Sequence, residues 1–528
     1  MQTKVTAYDS TLRDGAQAQG VSFTVEDKLK IVAQLDALGV GYIEAGNPGS
    51  NPKDLEFFKR AAELKLQHAK IIAFGSTRRI GIQAADDNNL RSLLSANTQA
   101  VAIFGKSWDY QVTDILRTTL AENLAMIADT IAYLKQQGKE VVFDAEHFYD
   151  GYKANAEYAF ATLKAASDAG ADVLVLCDTN GGTFPNEVFE ITRKVVSQFS
   201  AAQSGGVQVG IHCHNDCEMA VANSVAAVQA GATQVQGTIN GIGERCGNAN
   251  LCSIIPNLQL KLGLSCIPPE NISSLTHVAR FVNEVANMPF NDKAPYVGND
   301  AFSHKGGMHI DAVNKNPISY EHINPEQVGN IRHILVSEVA GRGALLSKLH
   351  EIDATLDKDS ADTQRILARI KALEHDGYQF ESAEASVQLL VLRELGKLRP
   401  TFEFKEYQVN IHEPAINGVN SSARIKLVVN GQEEIMSAEG DGPVNALDKA
   451  MRRALERFYP TIQSVRLTDY KVRVLNSDQA TAAKVRVLIE SADHNESWTT
   501  TGVSTDVVDA SWRALIDAIE YKLMRDLV

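Results

Sequence analysis

Gly210-Ile211-His212-Cys213-His214-Asn215-Asp216 is the stretch on which the reading of this chain turns. The preceding Val207–Ile211 is rich in β-branched residues, which predicts a buried strand running into the first histidine. On a strand, residues i and i+2 project from one face, so His212 and His214 share a direction at its carboxyl end. Two imidazoles placed this way can offer nitrogen ligands to a single metal ion. A pair of core histidines satisfied by hydrogen bonds is the alternative on this stretch alone. Cys213 points to the opposite face and Cys217 lies past the strand, so neither thiol joins the set.

Outward from that strand, one pattern recurs between Lys4 and about Leu262: a short apolar strand, a polar loop, an amphipathic helix. The other predicted strands are Val5–Tyr8, Tyr42–Ala45, Ile71–Phe74, Ala100–Phe104, Glu140–Ala145, Val173–Cys177 and Gln234–Ile239. Helices fit between them. Thr24 caps one whose Val25, Leu29, Val32 and Leu35 form a stripe ended by Gly39. Others run through Ala156–Asp168, closed by Gly170, and Met219–Ala230, closed by Gly231. Eight strand–helix units in this length predict an α/β chain that begins with a (β/α)8 TIM barrel. An open doubly wound sheet is the alternative, but no Gly-x-Gly-x-x-Gly follows the first strand.

Chemistry in such a barrel sits where strands end, and these ends are rich in polar residues. They carry Asp9 to Gly15, Glu44-Ala45-Gly46, Asp144 to His147, Cys177 to Asn180, the His-x-His pair, and Asn240 to Asn248. One such end could be a helix cap; six on one rim predict an active site. Asp14, His212 and His214 can then meet at one ion although distant in sequence. A carboxylate–imidazole set suits Mn²⁺, Mg²⁺ or Zn²⁺.

Composition bounds the rest. A chain of 528 residues predicts two or three domains, and 44% apolar content describes a soluble globular protein. A net charge of −14 without a Lys/Arg run excludes nucleic-acid and anionic-membrane binding as expectations. No apolar run reaches transmembrane length, and Met1-Gln2-Thr3-Lys4 leads into a strand without a signal-peptide core. Six cysteines without paired spacing suit reduced thiols, so the expected location is cytoplasmic.

Thr11-Leu12-Arg13-Asp14-Gly15, His212-Cys213-His214 and Gly243-Glu244-Arg245-Cys246-Gly247-Asn248 resemble, in type and order, motifs of the isopropylmalate/homocitrate/citramalate synthase family. These are metal-dependent acyltransferases in a barrel superfamily that also includes hydroxymethylglutaryl-CoA lyase. The resemblance runs through almost the whole chain. Within the family, Asp144-Ala145-Glu146-His147-Phe148-Tyr149-Asp150-Gly151-Tyr152-Lys153 looks most like the bacterial citramalate-forming members.

The resemblance implies metal ligands at Asp14, His212, His214 and Asn248, with Mn²⁺ or Mg²⁺ favoured over Zn²⁺. It implies Arg13 beside the keto oxygen, Thr179 on the substrate carboxylate, Glu44 among the substrate contacts, and Glu146 as base or water-positioning group. The implied reaction joins acetyl-CoA and pyruvate, with water, to citramalate and CoA. A branched keto acid giving 2-isopropylmalate is the alternative. A lyase running the reverse cleavage and an inactive amino-acid-binding barrel are more distant rivals. The first has no need of the repeated C-terminal module, and the intact Asp14, His212 and His214 set speaks against the second.

After Pro268-Pro269 the alternation stops. A helix at Asn271–Asn287 is predicted, then an irregular stretch with Asn299–His309, Ile318–Pro325 and Gly341–Ala344, then helices through about 362–395. The family resemblance implies that His309, in Gly-x-His-x-Asp, and Tyr320 complete the active site of the partner subunit in a homodimer. His304 is a second candidate. From Phe402 on, strands return as an internal repeat. Arg424–Val429 with a helix from Ala446 parallels Lys484–Ile489 with a helix from Val507. The expected division is 1–266 for the barrel, 267–400 for helical linker subdomains and 401–528 for an α+β allosteric and dimerisation domain. Isoleucine is the expected feedback ligand, and Gly440–Pro443 and Thr501–Ser504 are the expected binding edge. A purely structural dimerisation module is the alternative.

Overall fold

The computed structural model describes residues 4–49, 52–200, 206–334, 360–380, 383–416, 419–475, 482–493 and 496–526, with residues 352 and 356 besides. Gly341–Ala344 lies outside them. The chain divides into two compact units, Met1–Phe302 with Ile323–Arg332, and Ser303–His322 with His333–Val528.

The first unit is a closed barrel of eight parallel strands in chain order. They are β1 Thr6–Asp9, β2 Tyr42–Glu44, β3 Lys70–Ser76, β4 Ala100–Lys106, β5 Glu140–Glu146, β6 Val173–Asp178, β7 Gln208–Cys213 and β8 Gln234–Gly237. Closure comes from β1 pairing with β8, Tyr8 opposite Gln236. Alternation along the strands sorts side chains into two layers. Tyr8, Ile72, Ala100, Ala102, Val142, Val175 and Cys177 fill the barrel. Ile43, Val101, Ile103, Phe143, Leu176, Ile211 and Cys213 face outward into the layer shared with the helices.

Local signals act as the sequence predicts. The helix Val25–Leu38 starts at a capping box, in which the Thr24 hydroxyl accepts from the Asp27 N–H. It ends at Gly39, whose φ of 96° favours glycine. The compact unit extends past residue 266 because the helix Leu275–Val285 buries Leu275, Val278, Ala279 and Val282 in the barrel's outer core.

In the second unit Ser303–His304 (β9) pairs with His333–Ile334 (β10). Two helices follow, Ala361–His375 and Glu384–Glu394. Then the repeat appears as two three-stranded antiparallel sheets. The first holds β11 Glu403–Ile416, β12 Val419–Val429 and β13 Gln432–Gly440, with the helix Pro443–Leu455 after it. The second holds β14 Arg466–Val474, β15 Val485–Ala492 and β16 Ser497–Ser504, with the helix Val507–Asp526. Both helices and both sheets share one apolar core that includes Leu427, Met451, Ile489 and Trp512.

Two details depart from the sequence reading. The helix Glu384–Glu394, expected to belong to the linker, buries Ala385 and Leu389 in the core of the repeated module. Its Val387 and Val391 pack instead with Ile366, Ile370 and Phe380. Thr501–Ser504 is strand, not loop. A side chain at Gly502 would come within 2.1 Å of the Ala510 carbonyl, so this edge is sealed by its helix.

Candidate active site and metal centre

The carboxyl ends of β1, β7 and β8 build the centre. His212 is opposite Gln236 in the β7–β8 ladder and opposite Cys177 in the β6–β7 ladder, so its ring points inward. His214, two residues on, bridges Asn248 through the backbone. Asn248 thereby joins the site, although 34 residues separate it from His214. Gly243 makes room, since a Cβ there would lie 2.2 Å from Asn248 Nδ2. Asp14 follows the turn after β1 and accepts a 2.9 Å hydrogen bond from Asn248 Nδ2.

The donor atoms converge. One ligand atom each from Asp14, His212 and His214 falls within 4.8 Å of the others. The two Nε2 atoms are 3.4 Å apart and lie 3.8 and 4.0 Å from Asp14 Oδ2. Asn248 Oδ1 is buried and has no hydrogen-bond partner among the described residues. Burial lowers both histidine pKa values, His214 to about 4 with help from His212, so both rings are neutral and able to ligate. Burial works against the Asp14 charge, but Arg13 and then the two histidines hold its carboxyl well below the usual range. Two neutral imidazoles, an ionised carboxylate and an orphaned amide oxygen fit a divalent cation.

Arg13 is the fixed cation beside it. Its Nη1 donates to Asp14 at 2.9 Å and its Nε to Glu44 at 2.6 Å. The guanidinium lies 3.8 Å over the Phe74 ring. Burial opposes this charge, but Glu44 and Asp14 outweigh it and raise the pKa further. Glu44 is wholly buried and also accepts from Tyr8 (2.8 Å) and from Ser10. Both its oxygens are engaged by protein groups. Its burial and these bonds hold Arg13 in place.

Glu146 ends β5 and pairs with Lys106 Nζ at 2.5 Å. Thr179 Oγ1 accepts from the His147 N–H at 2.8 Å, which leaves the hydroxyl proton to donate. Arg245 ties the rim together, bonding both Asp216 oxygens and the Thr179 carbonyl. His309 and Tyr320 belong to the second unit, where their rings stack with centroids 4.2 Å apart. In the same unit His304 Nε2 is 3.0 Å from the buried Glu321.

The sequence reading missed Gln236 and Lys106, and gave Asp144 no role beyond its place among the polar strand ends. Gln236 Oε1 lies 3.0 Å from His212 Nδ1, and its Nε2 donates to Asp144 Oδ1 at 3.1 Å. Burial, then Glu44, pushes the Asp144 carboxyl up to about 8. Alternation through Ala100, Ala102 and Phe104 reaches Lys106 directly, two residues past the end predicted from sequence. Extending each strand by one inward step would have found it.

The HMGL-like family model matches residues 4–282, the homocitrate synthase post-HMGL domain-like model 296–377, and the LeuA allosteric (dimerisation) domain model 381–523. The chain is 54% identical over 527 residues to the (R)-citramalate synthase of Aquifex aeolicus, covering 100% of this chain and 99% of that one. The chain belongs to the citramalate synthase branch of the HMGL-like family. A second (R)-citramalate synthase, from Synechocystis, is 52% identical, with 99% of this chain and 97% of the other aligned. A probable 2-isopropylmalate synthase from Methanopyrus kandleri reaches 32%, with 98% of each chain aligned. Five (R)-citramalate synthases at 45–54% identity thus outrank the 2-isopropylmalate synthases at 32%, a level shared by a putative (R)-citramalate synthase from Archaeoglobus fulgidus. Among the described residues no helix is long and apolar enough to cross a membrane.

Proposed function

We propose that this chain condenses acetyl-CoA with pyruvate and water, giving (R)-citramalate and CoA. The observation that carries it is the cluster of Arg13, Asp14, His212 and His214 at one barrel rim, in a chain that aligns end to end with citramalate synthases. A divalent ion, Mn²⁺ or Mg²⁺ before Zn²⁺, held by Asp14, His212, His214 and Asn248 would supply Lewis acidity to the keto group. Arg13, held by Glu44, presents a permanent charge where carbon–carbon bond formation turns the keto oxygen into an alkoxide. The Thr179 hydroxyl is the donor for the substrate carboxylate.

Removal of a proton from the acetyl methyl group needs a base within reach. Glu146, steadied by Lys106, and the stacked pair of His309 and Tyr320 are the candidates. We assign the latter pair to the partner subunit's site in a homodimer. Water then cleaves the thioester and releases CoA. The division of labour is a catalytic barrel, a linker bearing His309 and Tyr320, and a repeated regulatory module.

Keto-acid-dependent CoA release tests the substrate directly, with pyruvate, 2-ketobutyrate and 2-ketoisovalerate run in parallel. Pyruvate should be preferred over the branched acid by roughly 10- to 200-fold in kcat/KM. Preference for 2-ketoisovalerate would replace this reading with isopropylmalate synthesis.

For regulation, the same reading points to isoleucine. A cleft of about 580 Å³ opens beside Gly440, lined by Glu439, Asp441, Lys449 and Arg453 among others. Its paired charges complement the ammonium and carboxylate of a free amino acid. Isoleucine should inhibit more strongly than leucine, and Arg453→Ala should raise the half-inhibitory concentration roughly tenfold, the worth of one charge-assisted hydrogen bond. Unchanged inhibition in that variant would move the site elsewhere.

A further inference from the structure

We infer that Gln236, backed by Asp144, is a positioning pair that decides which nitrogen His212 presents to the metal. The inference rests on the metal reading above and extends it to two residues outside the proposed ligand set. A neutral imidazole carries one N–H, and either ring nitrogen can hold it. His212, Gln236 and Asp144 are all buried, so bulk water does not make the choice.

The strands make it. Gln236 is opposite His212 in the ladder, and its Oε1 lies 3.0 Å from Nδ1. The amide's other end donates to Asp144 Oδ1 at 3.1 Å. Turning the amide over would set its oxygen against Asp144 Oδ1 and its NH₂ against Nδ1, which would then have to accept and shift the proton to Nε2. In the observed arrangement Asp144 Oδ1 accepts from the amide, which a carboxylate or the carbonyl oxygen of a neutral carboxyl can do, and the amide's own acceptor faces His212. An acceptor there keeps the proton on Nδ1 and leaves the Nε2 lone pair facing His214 and Asp14.

The two histidines differ in this respect. His214 Nδ1 is buried with no hydrogen-bond partner among the described residues. Tautomer control is thus built at one ligand, from the floor of the barrel.

The test is Mn²⁺ titration of the metal-free, full-length protein by calorimetry. Parent, Gln236→Met, Gln236→Glu, Asp144→Ala and His212→Ala are compared, with thermal unfolding of each metal-free form alongside. Gln236→Met keeps length but loses the acceptor, and should bind Mn²⁺ roughly 10- to 100-fold more weakly. Gln236→Glu keeps an acceptor, and should stay within about threefold of the parent by the same argument. Asp144→Ala frees the amide to turn, so binding should fall by about threefold or more even if Gln236→Met fails to fold.

Melting temperatures of the folded metal-free variants should not track these affinities. Parent-like affinity in Gln236→Met, or equal losses in the Met and Glu variants, would overturn the inference while the metal site stands. So would parent-like affinity in Asp144→Ala. A parent protein that takes up no Mn²⁺, or binds it equally after His212→Ala, would overturn the metal reading itself.

Discussion

The Arg13→Lys enzyme is expected to turn over roughly 100- to 1000-fold more slowly than the parent while still binding its divalent metal. Arg13 spans two carboxylates, Asp14 through Nη1 and Glu44 through Nε, and its flat face lies on Phe74. A lysine carries the same charge but has one ammonium on a flexible stem. It cannot hold both partners and the ring at once. The charge would drift from the point where the alkoxide forms, so the loss should appear in kcat. Measuring kcat, KM for pyruvate and bound metal together separates this from a binding defect. A raised KM with unchanged kcat would mean that Arg13 only binds substrate.

The second large effect concerns the ion. His212→Ala and His214→Ala should each lower metal affinity by about 100-fold or more, beyond the usual cost of losing a residue that merely orients a ligand, and turnover should fall with it. Cys213→Ala is the control. Its side chain lies in the outer layer, between the strand and the helices, and metal content should match the parent. Metal analysis of the three purified variants decides it. Loss of metal in Cys213→Ala alone would mean that the β7 register is shifted by one residue.

Much of this architecture was legible because the physics that writes it is local. Strands buried on both faces read as β-branched runs, and helix ends carry their own caps, as at Thr24 and Gly39. Of the proposed ligand set, Asp14, His212 and His214 are named from strand ends alone, and the structure brings their donor atoms together, while Asn248 enters through family resemblance.

The unread part is side chains whose meaning is set by a neighbouring strand. Gln236 is an ordinary polar residue until the ladder places it opposite His212. Glu44 is one polar strand end among several until Tyr8, Ser10 and Arg13 occupy its oxygens. The helix Glu384–Glu394 is amphipathic on two sides, and its sequence does not say which core claims which face.

Asp14 and Asn248 lie 234 residues apart in the chain and share a hydrogen bond only because β1 and β8 zip the barrel shut. The ligand set is therefore a report on closure. A nascent chain carries Asp14 from the outset, gains its histidines with the seventh strand and completes the set only after the eighth. If these residues hold an ion as proposed, an unfinished barrel could not grip it on every ligand, and the free energy of capture would fall on the closed form alone. A bound ion would thus act as a clasp across the one seam that joins the start of the barrel to its end. Chelation should loosen that seam before it disturbs the strands between.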